Sequence, residues 1–275
     1  MREAYCKWPE HLLPFCPASG VAASAAGGKL YGMRVQRLVD NIANALLPAT
    51  CGVCGATTGD GRICLPCFAA LPWNRHACPT CAEPLQRYVS SALPCGRCQG
   101  QRSSVTRTLA PLGYAFPIDE MLKALKFHRR LDVAPLLAEL AAPSVWDSGV
   151  QFDALVPVPL HRWRHARRGY NQAEELARAL SRIVSVPVQR LVKRVRATPP
   201  QSGLNAAARR RNLRGAFLAR RNVVADHVLI VDDVVTTGET TRAMARALQA
   251  SGVSAVSALA VARSGSAALS KPRGR

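Results

Sequence analysis

Thirteen consecutive residues, Val228-Leu229-Ile230-Val231-Asp232-Asp233-Val234-Val235-Thr236-Thr237-Gly238-Glu239-Thr240, limit the architectures open to this chain more than any other stretch. Four β-favouring apolar residues in a row predict a strand buried on both faces, as in a parallel sheet. The strand runs into two carboxylates and then into a small, hydroxyl-rich turn. Beyond the turn, Thr240, Met244, Ala247 and Leu248 recur at helical spacing, so the turn opens a helix whose first amide groups lack internal partners. Small residues let the backbone approach a phosphate there, and threonine hydroxyls add donors. The two aspartates suit the hydroxyls of a sugar joined to that phosphate.

A Walker B strand also ends in acidic residues, but it requires a Gly-x4-Gly-Lys-Ser/Thr loop elsewhere. The chain's only Gly-Lys pair, Gly28-Lys29, has Ala23 where the first glycine belongs and Leu30 where the hydroxyl belongs. A plain core strand would not normally set two adjacent carboxylates before a Thr-Thr-Gly turn. A sugar-phosphate site is therefore the expectation.

Eight of the ten cysteines form four Cys-x2-Cys knuckles: Cys51/Cys54, Cys64/Cys67, Cys78/Cys81 and Cys95/Cys98. Each knuckle can present two thiolates from a tight turn, and two knuckles complete a tetrahedral zinc site. Two structural zincs follow, one expected from Cys51, Cys54, Cys64 and Cys67 and the other from Cys78, Cys81, Cys95 and Cys98. Sequential pairing is the simplest arrangement, and an interleaved cross-brace fits the spacing as well. Disulfides are the alternative, but the strict two-residue spacing and a reducing compartment argue against them. Four thiolates per metal leave no open position, so these zincs serve folding and not chemistry. Leu71 and Trp73 are candidates for the module's small core; Cys6 and Cys16 have no assigned role.

The remaining pattern alternates strands and helices. Residues 108–116 read as a strand, and Ile118, Met121, Leu122 and Leu125 mark the buried face of a helix whose other face carries Lys123 and Lys126. A helix is expected over 132–141, a buried strand over 153–159, a helix with Ala173, Leu176, Ala177, Leu180 and Ile183 on one side, and strands over 186–192 and 253–261. This order predicts an α/β fold: a twisted, mainly parallel sheet flanked by helices, with right-handed crossovers. The organisation expected is a disordered or weakly helical leader over 1–46, a double zinc ribbon over 47–103, the α/β domain over 104–265 and a tail over 266–275. Met33, which opens an amphipathic helical pattern, is an alternative start.

The net charge of +20 on 275 residues favours polyanionic partners or substrates. Arginine usage typical of high-GC genomes is the bland explanation. The excess is focused, however: between His161 and Arg221 there are sixteen Lys or Arg against Glu174 and Glu175 alone. Arg162, Arg164, Arg167 and Arg168 lie in a loop that leaves the carboxyl end of a strand, the edge where open α/β sheets bind ligands. Lys193, Arg194, Arg209 and Arg210 belong to a long cationic loop over 193–214. No apolar run free of charge and proline approaches the ~20 residues a membrane span needs. The first segment loosely resembles an export signal, but Glu3, Lys7, Glu10, Pro14 and Pro17 interrupt it.

The thirteen-residue stretch resembles the phosphoribosyl-pyrophosphate (PRPP) motif of type I phosphoribosyltransferases. Val156-Pro-Val-Pro-Leu160, Arg168-Gly-Tyr-Asn-Gln172, then Thr198, Gln201, Leu204, Arg211-Asn212 and Phe217, all behind zinc knuckles, narrow the resemblance to the ComF family. The resemblance implies a type I phosphoribosyltransferase fold and PRPP bound with magnesium. Asp232 and Asp233 would serve the ribose hydroxyls, Val235, Thr236, Thr237, Gly238, Glu239 and Thr240 the phosphate, and Pro157, Val158, Pro159 and Leu160 the pyrophosphate. One of the candidates Lys193, Arg194, Arg209 and Arg210 would close over the site. It also implies a cytoplasmic protein of natural competence that handles single-stranded DNA beside a competence helicase and uptake machinery, and a glycosyl transfer whose acceptor is not named. A single-stranded-DNA-binding module, with bases stacked on Trp163, Tyr170 or Trp73 and the PRPP site acting as a sensor, is the competing expectation.

Overall fold

A computed structural model describes residues 49–58, 62–86, 90, 93–100, 103–161, 166, 168–196, 215–221, 223 and 225–265. The leader, the helix expected after Met33, the tail, and the greater part of the 193–214 loop lie outside the described residues. The chain forms two compact units, Met1–Ala70 and Leu71–Arg275.

In the first unit, Cys51, Cys54, Cys64 and Cys67 bring their sulfurs within 4.8 Å of one another. An antiparallel bridge between Thr50 and Thr57 closes the first knuckle. Helix α1 (Leu65–Ala69) starts from the second, with Pro66 in its first turn, where a missing N–H costs nothing.

The second unit is built on a parallel sheet. Its strands are β1 (Thr108–Leu109), β2 (Leu112–Gly113), β3 (Ala154–Pro157), β6 (His227–Val235) and β7 (Ala255–Arg263), with β7 and β6 central. β1 and β2 pair with β7, β7 with β6, and β6 with β3, all parallel. Val228, Leu229, Ile230 and Val231 are 0–2% exposed, as a strand covered on both faces requires. Alternation assigns the faces. Val156, Val228, Ile230, Val256 and Ala258 share a core cluster with Met244 and Leu248 of helix α5 (Glu239–Gln249). The opposite face is covered by α3 (Val133–Trp146) and α4 (Gln172–Val184), with α2 (Ile118–Phe127) packed on α3. A separate antiparallel ribbon, β4 (Val192–Arg194) with β5 (Phe217–Ala219), packs against α5.

Four expectations need correction. The strand over 108–116 is two short pieces: Pro111 cannot donate to a ladder, and its carbonyl instead accepts from the Asn74 amide. The strand over 186–192 contributes one bridge, Val188 to Leu155, before the chain turns into β4. Lys193 and Arg194 therefore belong to a strand and not to a loop. Helix α3 continues past residue 141 to Trp146 despite Pro143, because Ala142 and Val145 are buried and hold its last turn.

Chain direction creates a switch point. From β3 the chain moves outward to the edge at Val188, then returns to the inner side of β3 as β6. Open α/β sheets bind ligands in the crevice at the carboxyl ends of such a strand pair.

Candidate phosphate and sugar site

The crevice between β3 and β6 gathers the predicted residues. Pro157 is the last residue of β3, in register with Val231, and the Val158 amide donates to the Val231 carbonyl at 2.9 Å. The Pro157–Leu160 segment therefore leaves the sheet beside Asp232. β6 runs further than the sequence suggests: Asp232, Val234 and Val235 are still in register with Ala260, Ala262 and Arg263, so the aspartates sit within the strand.

The two carboxylates differ. Asp233 is buried, and Lys126 of α2 donates to its Oδ2 at 2.9 Å. Asp232 is partly buried, and its Oδ1 accepts from the Asp233 amide at 2.9 Å. Burial and then the Asp233 charge push the Asp232 carboxyl well above the usual range. Burial opposes ionisation of Asp233 as well, but the Lys126 ammonium overrides it and holds Asp233 below its ordinary value. The negative charge of the pair is thus anchored at Asp233, and Asp232 is the more readily protonated of the two.

Past Val235 the turn enters α5 at Gly238, which takes φ 76°, a conformation that costs any residue with a Cβ. Arg242 reaches back to donate to the Thr237 carbonyl and to Glu239 Oε1 at 2.8 Å, and Thr241 donates to the Gly238 carbonyl at 2.9 Å. Glu239 is 4% exposed, so its side chain braces the turn from within and only its backbone remains for a phosphate. Thr236, Thr237 and Thr240 are partly exposed.

The Arg168-Gly-Tyr-Asn-Gln172 segment holds this crevice together. Asn171 caps α4, accepting from the Ala173 amide at 3.2 Å, and donates to the Val158 carbonyl at 3.0 Å. Tyr170 donates to the Leu125 carbonyl, one residue before Lys126. Gly169 has φ 82°, and a Cβ there would lie 2.7 Å from the Arg129 guanidinium. Arg168 donates to Gln172 and lies over the Phe127 ring at 5.7 Å. Tyr170 is buried and cannot stack a base, and Trp73 bridges to Leu112 with Arg75 at 6.0 Å from its ring. Arg162, Trp163, Arg164, Arg167, Arg209 and Arg210 lie outside the described residues. Lys193 is exposed, and Arg194 sits 5.6 Å from the Phe217 ring. Lys126 escaped the sequence reading because its helix shows it on the polar side. The available signal was its spacing four residues after Leu122, at the margin of the apolar stripe.

The second cysteine cluster, Cys78, Cys81, Cys95 and Cys98, also brings its sulfurs within 4.8 Å, so the knuckles pair sequentially. The donor chemistry fits zinc. Amides of Val53 and Cys64 donate to the Cys51 sulfur at 3.4 Å, and that of Cys95 to the Cys78 sulfur at 3.2 Å. Burial disfavours these thiolates, but the amides outweigh it and lower Cys51 to about 6 and Cys78 to about 7. Two four-thiolate clusters thus fit two zinc ions.

Residues 42–99 match the family described as double zinc ribbon domain, and residues 165–272 match the phosphoribosyl transferase domain. A phosphoribosyltransferase-type α/β domain behind a double zinc ribbon is therefore the class of protein that fold and site define. The DNA utilization protein YhgH of Escherichia coli is 37% identical over 218 residues, covering 76% of this chain and 95% of its own. Competence protein F of Haemophilus influenzae is 34% identical over 195 residues (68% and 84%), and competence protein ComFC of Bacillus subtilis 28% over 218 residues (74% and 85%). The chain belongs to the ComF family. No helix among the described residues is long and apolar enough to cross a membrane.

Proposed function

We propose that the β3–β6 crevice binds PRPP with magnesium, in a cytoplasmic protein that takes part in DNA handling during natural competence. The observation that carries the reading is the Val158–Val231 hydrogen bond, which sets the Pro157–Leu160 loop beside Asp232 and one strand end away from the Thr236–Thr240 turn. In this reading the backbone and hydroxyls of Thr236, Thr237, Gly238 and Thr240 hold the 5-phosphate. Asp232 accepts from the ribose hydroxyls, and Asp233, fixed by Lys126, keeps it oriented.

Departure of pyrophosphate from C1 leaves an electron-poor sugar, so positioning and charge matter more than covalent help. Pro157 and Pro159 have no N–H and the Val158 amide is engaged with Val231, so the loop would offer the leaving group the Leu160 amide, and Lys193, Arg194, Arg209 or Arg210 supply cations to it. The oxygen-only donors here fit a hard cation, held chiefly through substrate, water and Asp232, and bound magnesium would screen the pyrophosphate charge. Names of relatives that speak of competence and DNA utilization support the role in DNA handling. The reaction, where it occurs, is glycosyl transfer to an acceptor the site does not name.

A second reading, a single-stranded-DNA module with a PRPP sensor, is favoured by one observation. Phe127 is 65% exposed, with the Arg168 guanidinium over its ring, a pairing suited to stacking bases beside phosphates. The experiment separating the two pairs Asp232→Asn/Asp233→Asn with Arg162→Ala/Arg164→Ala/Arg167→Ala. The aspartate variant should lose PRPP binding and keep DNA binding. The arginine variant should bind DNA more weakly, with a flatter salt dependence. An aspartate variant that binds PRPP as the wild type does would refute the site.

A further inference from the structure

The second zinc cluster belongs to the same compact unit as the sheet, whereas the first belongs to the other. Its attachment is specific. The Thr108 amide of β1 donates to the Thr80 carbonyl, and Asn74 donates to the carbonyls of Ala82 and Ala110 at 2.9 and 3.0 Å. Ala82, next to ligand Cys81, forms a buried cluster with Ala110, Ala260 and Val235, the residue that opens the phosphate turn.

Charge closes the arrangement. Glu83 Oε2 accepts from Arg97, which sits between ligands Cys95 and Cys98, at 2.8 Å. The same oxygen accepts from Arg263, a guanidinium 1% exposed at the end of β7 and in register with Val235. Arg97 and Arg263, with Thr237, Gly238 and Arg242, line a cavity of about 150 Å³ behind the turn. A buried guanidinium needs its anion, and here that anion is held by a cysteine knuckle. The Glu83 backbone carbonyl also accepts from the Cys78 amide at 2.8 Å.

We propose that Glu83 and Arg97 are positioning residues for the phosphate turn. Through them the second zinc cluster, and not the first, sets the geometry of residues 236–240 and with it the affinity for a 5-phosphate. The affinity part rests on the PRPP reading; the coupling itself does not. With zinc in place the two knuckles fix Glu83 against Arg263 and Arg97 behind the turn. Without that frame the wall behind Gly238 opens and the turn loses its backing.

The test is hydrogen exchange of the zinc-replete, full-length protein, together with ribose 5-phosphate titration, for the wild type, Glu83→Gln, Arg97→Ala and the first-cluster control Cys51→Ser. Arg97 has a half-exposed side chain, so Arg97→Ala folds even where Glu83→Gln proves unstable. The Arg242 amide donates to the Gly238 carbonyl at 2.9 Å and so reports on the turn. The expected result is exchange at that amide about tenfold faster in Glu83→Gln and Arg97→Ala, with β3 and the 228–231 segment unchanged, zinc still two per chain, and no change in the turn of Cys51→Ser. Ribose 5-phosphate should then bind about tenfold more weakly. Wild-type exchange at the turn in Arg97→Ala, or acceleration spread evenly over the sheet, would overturn the coupling. A turn that loosens as expected in a protein whose wild type binds no ribose 5-phosphate would sustain the coupling and defeat the PRPP reading instead.

Discussion

Lys126 and Asp233 form a pair whose two halves are not equivalent, because the carboxylate is buried while the ammonium is about one-third exposed. Lys126→Ala strands a buried charge and should cost about 2 kcal/mol at neutral pH, read from urea unfolding. The aspartates carry opposite pH signatures. Asp233 has a lowered native pKa, so its contribution is present above the unfolded value and fades as pH falls through the native one. Asp232 has a raised native pKa, so its contribution is complete below the unfolded value and is lost as pH rises through the native one. Asp232→Asn should therefore raise the melting temperature at pH 7 and give up that gain near pH 4. Asp233→Asn should lower it at pH 7, with a penalty that shrinks in acid. Melting curves at both pH values check the signs. Of these residues the sequence displayed the aspartates, because a strand–carboxylate–turn pattern is local. It concealed Lys126, because the contact spans 107 positions and depends on how α2 packs.

Helices α4 and α5 begin at residues chosen for different reasons, Asn171 for its side chain and Gly238 for its backbone. Asn171→Ala removes the α4 cap and the donor to Val158, which predicts a loss of about 2 kcal/mol in unfolding free energy. Gly238→Ala forces a Cβ at φ 76° to within 3.1 Å of Arg242 and should cost about 1 kcal/mol in the same measurement. Both variants should weaken ligand binding by more than they weaken the fold, since each end faces the crevice. The buried strands and amphipathic helices were legible because period and burial coincide along them, as in α2 with Ile118, Met121, Leu122 and Leu125. What failed depended on partners. Residues 186–192 have strand-forming composition, yet Val188 alone of them bridges to the parallel sheet while Val192 joins the separate ribbon, and Pro111 divides an otherwise continuous run. The Arg168–Gln172 segment drew attention for its charge, but its work in the structure is to fasten α2, β3 and α4 together.

Across the two units, the cysteine spacing gave away the zinc sites, and only the folded chain showed that the knuckles pair sequentially. Spacing could not show that the second cluster shares a unit with the sheet, since that depends on Asn74, Ala82 and Glu83 meeting β1 and β7. The positive charge concentrated in the sequence between His161 and Arg221 gives the whole molecule a field that favours polyanionic ligands. Calorimetric titration of the zinc-replete protein with PRPP and magnesium, beside Asp232→Asn/Asp233→Asn, puts this account at greatest risk. It predicts saturable one-to-one binding that the double variant loses while keeping its two zincs. Binding of equal strength in both proteins, or none in the wild type, would contradict it.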